Sequence, residues 1–424
     1  MTESAFAPRI LQIGTYSSRN KGDAAMELST AAAIRTRWPD AEITISAPFA
    51  EDDARFYENV ARVVPCSRRR LVLATLQVLR VALWRSIRSA FGADAAWLIP
   101  DQELRACRRA DIVIDLSGDM LTDDYGPHVA YSHYIPIINA LLLGRPVVIC
   151  AQSIGPFRWT GWMARQLFGR AAAITLRDEI SIGHLRAIGL DPGNAAVTAD
   201  MAFLLQPASD TRAAEILRNE GIADDGDGSV LGVSVSRILE RRYNLSRPRG
   251  ASDFATLMAE TLDRFASQTG CRVVFVSHVT GPSAVKDDRL IARDVAARMS
   301  APCHVIQGDY RPEELKALIR RCRVFLGARM HANIAALSSG VPVVALAYSH
   351  KTPGIMALFG QGERVLNGPE LSADGLFGQL STAWATAPAI RERIESALPS
   401  VTAAALSNVG VIARLNGSRE PLTA

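Results

Sequence analysis

The stretch RVFLGARMHANIAALSSGVPVVALAYSHKTPG, residues 323–354, leaves little choice of architecture. Arg323–Leu326 and Val343–Tyr348 are apolar runs of strand length. Between them His331–Ser339 has helical spacing, with Ile334, Ala335 and Leu337 as its apolar positions. Gly340 and Pro342 stop that helix, as a terminal glycine followed by proline does. Strands that are apolar throughout and joined by a helix belong in a parallel sheet covered on both faces. Open sheets of this kind bind ligands outside the carboxyl ends of their strands, where helix N-termini favour anions. Arg329, His331 and Lys351 all fall at that edge, a cation set suited to phosphate or carboxylate. The equal alternative pairs Arg329 with a carboxylate and His331 with the backbone.

The same pattern runs through most of the chain. Strands are expected at Arg9–Thr15, Glu42–Ala47, Asp111–Leu116, Pro146–Gln152, Ala173–Leu176 and Val197–Ala199. A second series reads Val230–Ser236, Arg272–Ser277, His304–Gln307, Arg323–Leu326 and Val343–Tyr348. A polar or small-residue cluster and then a helix follow most of these strands. The DDGDG run at Asp224–Gly228 is the loosest stretch and marks a boundary. The expected fold is α/β: two Rossmann-like doubly wound domains facing a cleft, residues 1–206 and 207–395, with a helical tail over 396–424 broken at Pro399.

Composition narrows the function. Over 424 residues, 48% hydrophobic and 21% charged, the net charge is only +4. That lacks the strong basic excess of a nucleic-acid binder. Six cysteines form no CxxC pair and have no histidine at zinc-finger spacing, so neither a metal site nor a disulfide framework is expected. Cys150 and Cys322 read as small core residues, and the pattern suits a reducing cytoplasm. MTESAFAPRILQIG does not read as a signal peptide, and no window is expected to supply the ~20 apolar residues of a membrane span. Residues 68–91, RRRLVLATLQVLRVALWRSIRSAF, form a basic amphipathic helix. Packing on its own domain is the first expectation. Peripheral contact with an anionic membrane is the second, with Trp84 and Phe91 as interface anchors and Arg80, Arg85 and Arg88 as the polar side.

Other candidates sit at expected strand ends. Tyr16 and Asn20 follow the first strand and either hydrogen-bond sugar hydroxyls or fix their loop. Asp23 either caps the helix after it or faces a substrate hydroxyl. His278 ends a strand. His128 and His133 lie in GPHVAYSHYIP, read as a loop that lines the acceptor side or covers the sheet. No GxGxxG, P-loop, GxSxG or HExxH is present.

Six markers occur in order: Gly14 with Asn20-Lys21-Gly22-Asp23-Ala24; Asp115-Leu116-Ser117-Gly118-Asp119; Ala151-Gln152-Ser153-Ile154-Gly155-Pro156; Leu176-Arg177-Asp178-Glu179-Ile180-Ser181; Thr198-Ala199-Asp200-Met201-Ala202-Phe203; and Arg329-Met330-His331 with Gly340, Pro342, Tyr348 and Lys351. As a set, from Ile13 to about Gly360, they resemble the polysaccharide pyruvyl transferase family. Asp119 and Ser153 stand where that family usually has glycine.

The resemblance implies a glycosyltransferase-B-like pair of Rossmann-type domains. It implies transfer of the pyruvyl group of phosphoenolpyruvate, a co-substrate, onto a sugar of a polysaccharide or its lipid-linked precursor, commonly as a ketal. It associates Arg329, His331 and Arg177 with the donor, in a C-terminal donor domain opposite an N-terminal acceptor domain. Chemically, Arg177, Arg329, Lys351 and His278 would bind the donor, and His331 would protonate its methylene. Asp119 or Asp23 would take the hydroxyl proton, while Tyr16, Asn20 and His133 would contact the acceptor. The scheme calls for no metal or cofactor. Its rivals are a nucleotide-sugar glycosyltransferase on the same fold and a descendant that binds ligand without turnover.

Overall fold

The computed structural model describes residues 7–57, 60–66, 70–223, 229–248, 251–348 and 351–417. The chain divides into two compact units. The first comprises Met1–Ser18, Met26–Leu204 and Ala403–Ala424, and the second Arg19–Ala25 with Leu205–Thr402.

The first unit is built on strands β1 (Arg9–Ile13), β2 (Glu42–Ala47), β3 (Arg62–Pro65), β4 (Ile112–Asp115), β5 (Val147–Gln152), β6 (Ala173–Leu176) and β7 (Ala195–Val197). They form one sheet in the order β3-β2-β1-β4-β5-β6-β7, every pairing parallel. β4, β5 and β6 are buried at every residue, because helices cover both faces. One core gathers Leu11, Val113, Ile149 and Leu176 with Trp84 and Tyr134. Another, of opposite strand parity, gathers Ile10, Ile43, Ile114 and Val148 with Val409 and Ile412.

The second unit carries β8 (Val230–Ser234), β9 (Arg272–Phe275), β10 (Cys303–Val305), β11 (Val324–Gly327), β12 (Val343–Ala347) and β13 (Val365–Asn367). Its order is β10-β9-β8-β11-β12-β13, again all parallel. Both sheets therefore reverse direction beside their first strand, between β1 and β4 and between β8 and β11. That switch point is where doubly wound sheets open a crevice at the carboxyl edge.

Local expectations were overturned in several places. GPHVAYSHYIP is not a loop: it opens the helix Pro127–Leu142. Pro127 occupies the first turn, where its missing N–H costs nothing, and Ala130, Tyr134 and Ile137 bury one side at helical spacing. Pro399 does not break the tail, since one helix, Ala387–Gly417, runs through it. Ile390, Ile394, Val401, Ala405 and Ile412 are all buried along its length, and this burial outweighs the hydrogen bond that proline removes. Its Ala387–Leu415 stretch is long and apolar enough to cross a membrane by length and composition, contrary to expectation. Val409 and Ile412 nevertheless belong to the first unit's core.

The basic amphipathic helix spans Leu71–Phe91, and Arg68 and Arg69 lie outside the described residues. Trp84 is not an interface anchor: it is buried and donates to Asp94 at 3.0 Å. Arg80 pairs with Asp101, and Arg85 donates to the Leu141 and Leu142 carbonyls. The outward stripe is instead apolar, with Val72, Leu76, Leu79 and Leu83 exposed by 74, 49, 61 and 50%.

Candidate functional site

In the second unit the cations gather at the carboxyl edge. Arg329 follows β11 directly and precedes the helix Met330–Leu337. Its Nε and Nη2 donate to the two Asp288 oxygens at 2.7 and 2.8 Å, and Asp288 is fully buried. Burial pushes the Asp288 carboxyl up and the guanidinium pulls it down. Burial likewise works against the Arg329 charge, yet Asp288 leaves that guanidinium more firmly protonated than usual. The fork is thereby fixed in orientation, and Arg329 makes the carboxylate pairing that was one of its two expected roles.

His331 lies in the first turn after Arg329 and packs on Gly22, in the first turn of the helix Lys21–Arg37. A Cβ at Gly22 would overlap the imidazole ring. Glycine is required there for this close approach. The helix start is capped by Asn20, whose Oδ1 accepts from the Gly22 N–H at 3.2 Å and whose Nδ2 donates to Asp23 at 2.8 Å. Asn20, rather than Asp23, is therefore the capping residue, and its side chain serves the helix first.

Lys21 is 1% exposed and bonds Asp309 at 2.6 Å, while its N–H donates to the His278 carbonyl at 2.9 Å. Burial lowers the Lys21 ammonium pKa, with Asp309 opposing. His278 is 4% exposed, and its Nδ1 has no hydrogen-bond partner among the described residues. Burial, reinforced by His331, Lys21 and Arg329, drives its pKa down to about 3, so the ring is neutral at pH 7. Lys351 opens the helix Lys351–Ala357, but its side chain lies outside the described residues.

The first unit's edge is built differently. Asp115, at the end of β4, accepts from the Ser117 N–H and hydroxyl at 3.1 Å each and from Gln152. His133 Nδ1 meets the Ser117 hydroxyl at 2.9 Å, which places this histidine at the edge from the helix Pro127–Leu142. Gly14, at φ +101°, lets β1 end against this group: a Cβ would lie 2.6 Å from the Ser117 nitrogen. Arg177 is 2% exposed, held by Asp200 through Nη1 and by Ser153 at 2.9 Å through Nε. Its Nη2 is buried without a partner among the described residues. The Ser153 hydroxyl also binds Asp178, so the residue that departs from glycine links the two members of the Arg177-Asp178 pair. Asp119 accepts from the Tyr125 hydroxyl at 2.9 Å, and Tyr16 stacks edge-on against Phe49.

The expected residues thus fall into two groups. His331, Arg329, His278, Asn20 and Asp23 belong to the second unit; Arg177, Asp119, Tyr16 and His133 belong to the first. The sequence reading missed Asp288 and Asp309, because no local pattern announces a carboxylate that bonds 41 or 288 residues away. Lys21 was within reach, as the second letter of the NKGD run. Among the described residues no group of three His, Cys, Asp or Glu side chains is placed to hold a metal ion.

Known proteins place the chain. It is 23% identical over 384 residues to the amylovoran biosynthesis protein AmsJ of Erwinia amylovora, covering 86% of this chain and 88% of AmsJ. Among solved structures it resembles HepE of Anabaena in complex with UDP and glucose, with TM-score 0.59 and 14% identity over 97% of this chain and 100% of that one. It also resembles the UDP-GlcNAc 2-epimerase of Neisseria meningitidis bound to UDP-GlcNAc, with TM-score 0.58 and 11% identity over 96% of this chain and 100% of that one. These likenesses establish the fold, two Rossmann-like sheets of the glycosyltransferase-B type. The family model for polysaccharide pyruvyl transferase matches residues 20–350, most of the six-marker region, and the chain belongs to that family.

Proposed function

We propose that this protein transfers the pyruvyl group of phosphoenolpyruvate onto a sugar of a polysaccharide or its lipid-linked precursor, forming a ketal across two hydroxyls. The observation that carries this reading is the second unit's edge, where Arg329, His331, Lys21 and the neutral His278 gather at a helix start. Such an edge suits a small dianion that must also receive a proton. Arg329, oriented by Asp288, and Lys351 hold the donor's phosphate and carboxylate. His331 protonates the donor methylene while a sugar hydroxyl attacks the adjacent carbon. A second hydroxyl then displaces phosphate, which carries away the remaining proton. Asp119 or Asp23 takes up the hydroxyl proton on the way. Tyr16, Asn20 and His133 contact the acceptor, and Arg177 supports the donor through its remaining Nη2.

The reaction is proposed to run in the cytoplasm, and the exposed apolar stripe of Leu71–Phe91 favours contact with the membrane that carries a lipid-linked acceptor. Flotation with anionic vesicles checks that contact; a Leu76→Ser/Leu79→Ser/Leu83→Ser variant that floats as well as the parent would remove it.

Calorimetric titration with phosphoenolpyruvate beside UDP-glucose tests the donor. Binding of phosphoenolpyruvate alone supports pyruvyl transfer. Binding of the nucleotide sugar alone makes the chain a glycosyltransferase, like the neighbours that hold UDP. Binding of phosphoenolpyruvate without turnover on any glycan makes it a binding protein.

A further inference from the structure

The first unit holds a second cationic feature at the opposite end of its sheet. A cavity of about 730 Å³ opens beside the amino ends of β1, β2 and β3 and the helix Gln102–Arg109. Register explains one wall. Arg9 pairs with Glu42, Leu11 with Thr44, and Thr44 with Arg62, so these residues share one sheet face. Gln102, Arg105, Ala106 and Arg109 recur at helical spacing along the facing wall.

Five arginines line the cavity: Arg9, Arg35, Arg62, Arg105 and Arg109. Arg9 is bound to Asp111 at 3.1 Å. The other four make no ion pair among the described residues, and Glu42 is the single carboxylate in the lining. Between them the lining is aliphatic, with Leu11, Ile43, Val64 and Ala106. Four uncompensated guanidinium groups around one cavity repel each other, and a bound anion relieves that repulsion. Guanidinium forks match phosphate oxygens bidentately. The volume is that of a small-molecule site, larger than a lone phosphate needs, and its aliphatic lining suits an apolar stem. The carboxyl-edge groups around Asp115 lie at the other end of strands about 16 Å long, so this cavity is separate from them.

We propose that this cavity is a second ligand site, for a diphosphate-type anion carried on an organic stem. It stands independently of the reaction assigned to the carboxyl edge. An isoprenoid diphosphate and a nucleoside diphosphate share this chemistry, and the test separates them.

The full chain is titrated calorimetrically with pyrophosphate, geranyl diphosphate and ADP at roughly 150 mM salt, where weak surface attraction is screened. Either stemmed ligand is expected to bind at least about tenfold tighter than pyrophosphate, and the tighter of the two names the source. Arg62 and Arg105 are exposed, so an Arg62→Gln/Arg105→Gln variant keeps its melting temperature. It should weaken that binding at least about tenfold while phosphoenolpyruvate titrates as before. The proposal is overturned if neither stemmed ligand binds more tightly than about 1 mM, or if the variant binds both as the parent does.

Discussion

The two carboxyl edges differ in how their charges are matched. In the first unit the buried charges are held in a hydrogen-bonded network. Arg177 sits on Asp200, Ser153 bridges Arg177 and Asp178, and Asp115 collects Ser117 and Gln152. In the second unit Lys21 pairs with Asp309 and Arg329 with Asp288, with His278 and His331 beside them. One edge is a network of hydroxyls, amide and carboxylates; the other gathers two cation–carboxylate pairs and two histidines beside a helix start. Networks of the first sort orient neutral hydroxyl groups, and clusters of the second sort suit an anion. The contrast supports the proposed division into a donor edge and an acceptor edge.

The hardest blow to either edge removes its arginine. Arg329→Ala leaves the Asp288 carboxylate buried without its cation, and Arg177→Ala does the same to Asp200. Each should lower unfolding free energy by about 3–5 kcal/mol, read by urea denaturation. The edges should then part company in calorimetry: phosphoenolpyruvate binding disappears in Arg329→Lys, which keeps the charge but loses the fork, and is only weakened in Arg177→Lys, which loses the supporting Nη2. Equal loss in both would erase the contrast.

Next in size is the histidine. His331→Ala should cut turnover by about 10²–10⁴-fold with donor affinity nearly kept, as loss of a general acid does. Gly22→Ala reaches the same ring from the helix side, since its methyl must displace the imidazole. It should reproduce the turnover defect in steady-state assays. Wild-type turnover in Gly22→Ala would detach His331 from the chemistry.

The strands were legible because burial on both faces leaves continuous apolar runs, as in IVID and VVALA. The helix Pro127–Leu142 was not, because the Gly126-Pro127 pair reads as a turn, while burial of Ala130, Tyr134 and Ile137 overrides that here. At the site, the residue types in the six markers were readable and their partners were not. Asp288 is one of two aspartates in KDDRL, and only the fold puts it beneath Arg329. The division of the markers between two differently built edges is a property of packing, invisible in spacing.

A smaller effect separates the edges by pH. His278 is neutral when folded, with a pKa of about 3 against an ordinary value of 6.5. Between those values the unfolded chain binds the extra proton, so stability rises with pH across that window and is complete above about 6.5. Acidification from about pH 7 to 5 should cost about 2 kcal/mol through this ring. His278→Asn should flatten that slope in denaturation curves taken at both pH values. An unchanged slope would place the acid sensitivity elsewhere.

The smallest expected change concerns Asp119. Asp119 falls where the family resemblance suggests a glycine, and it is already engaged by the Tyr125 hydroxyl at 2.9 Å. Asp119→Gly removes that hydrogen bond and restores the family's residue type. If Asp23 is the group that takes the acceptor's proton, the variant should lose about 1 kcal/mol of stability and less than about threefold in kcat, with any shift confined to acceptor KM. A hundredfold fall in kcat, with Asp23→Asn nearly silent, would reverse the assignment. It would also mean that the first unit's edge supplies a reacting base as well as a frame for hydroxyls. The two edges would then differ in charge but share the chemistry.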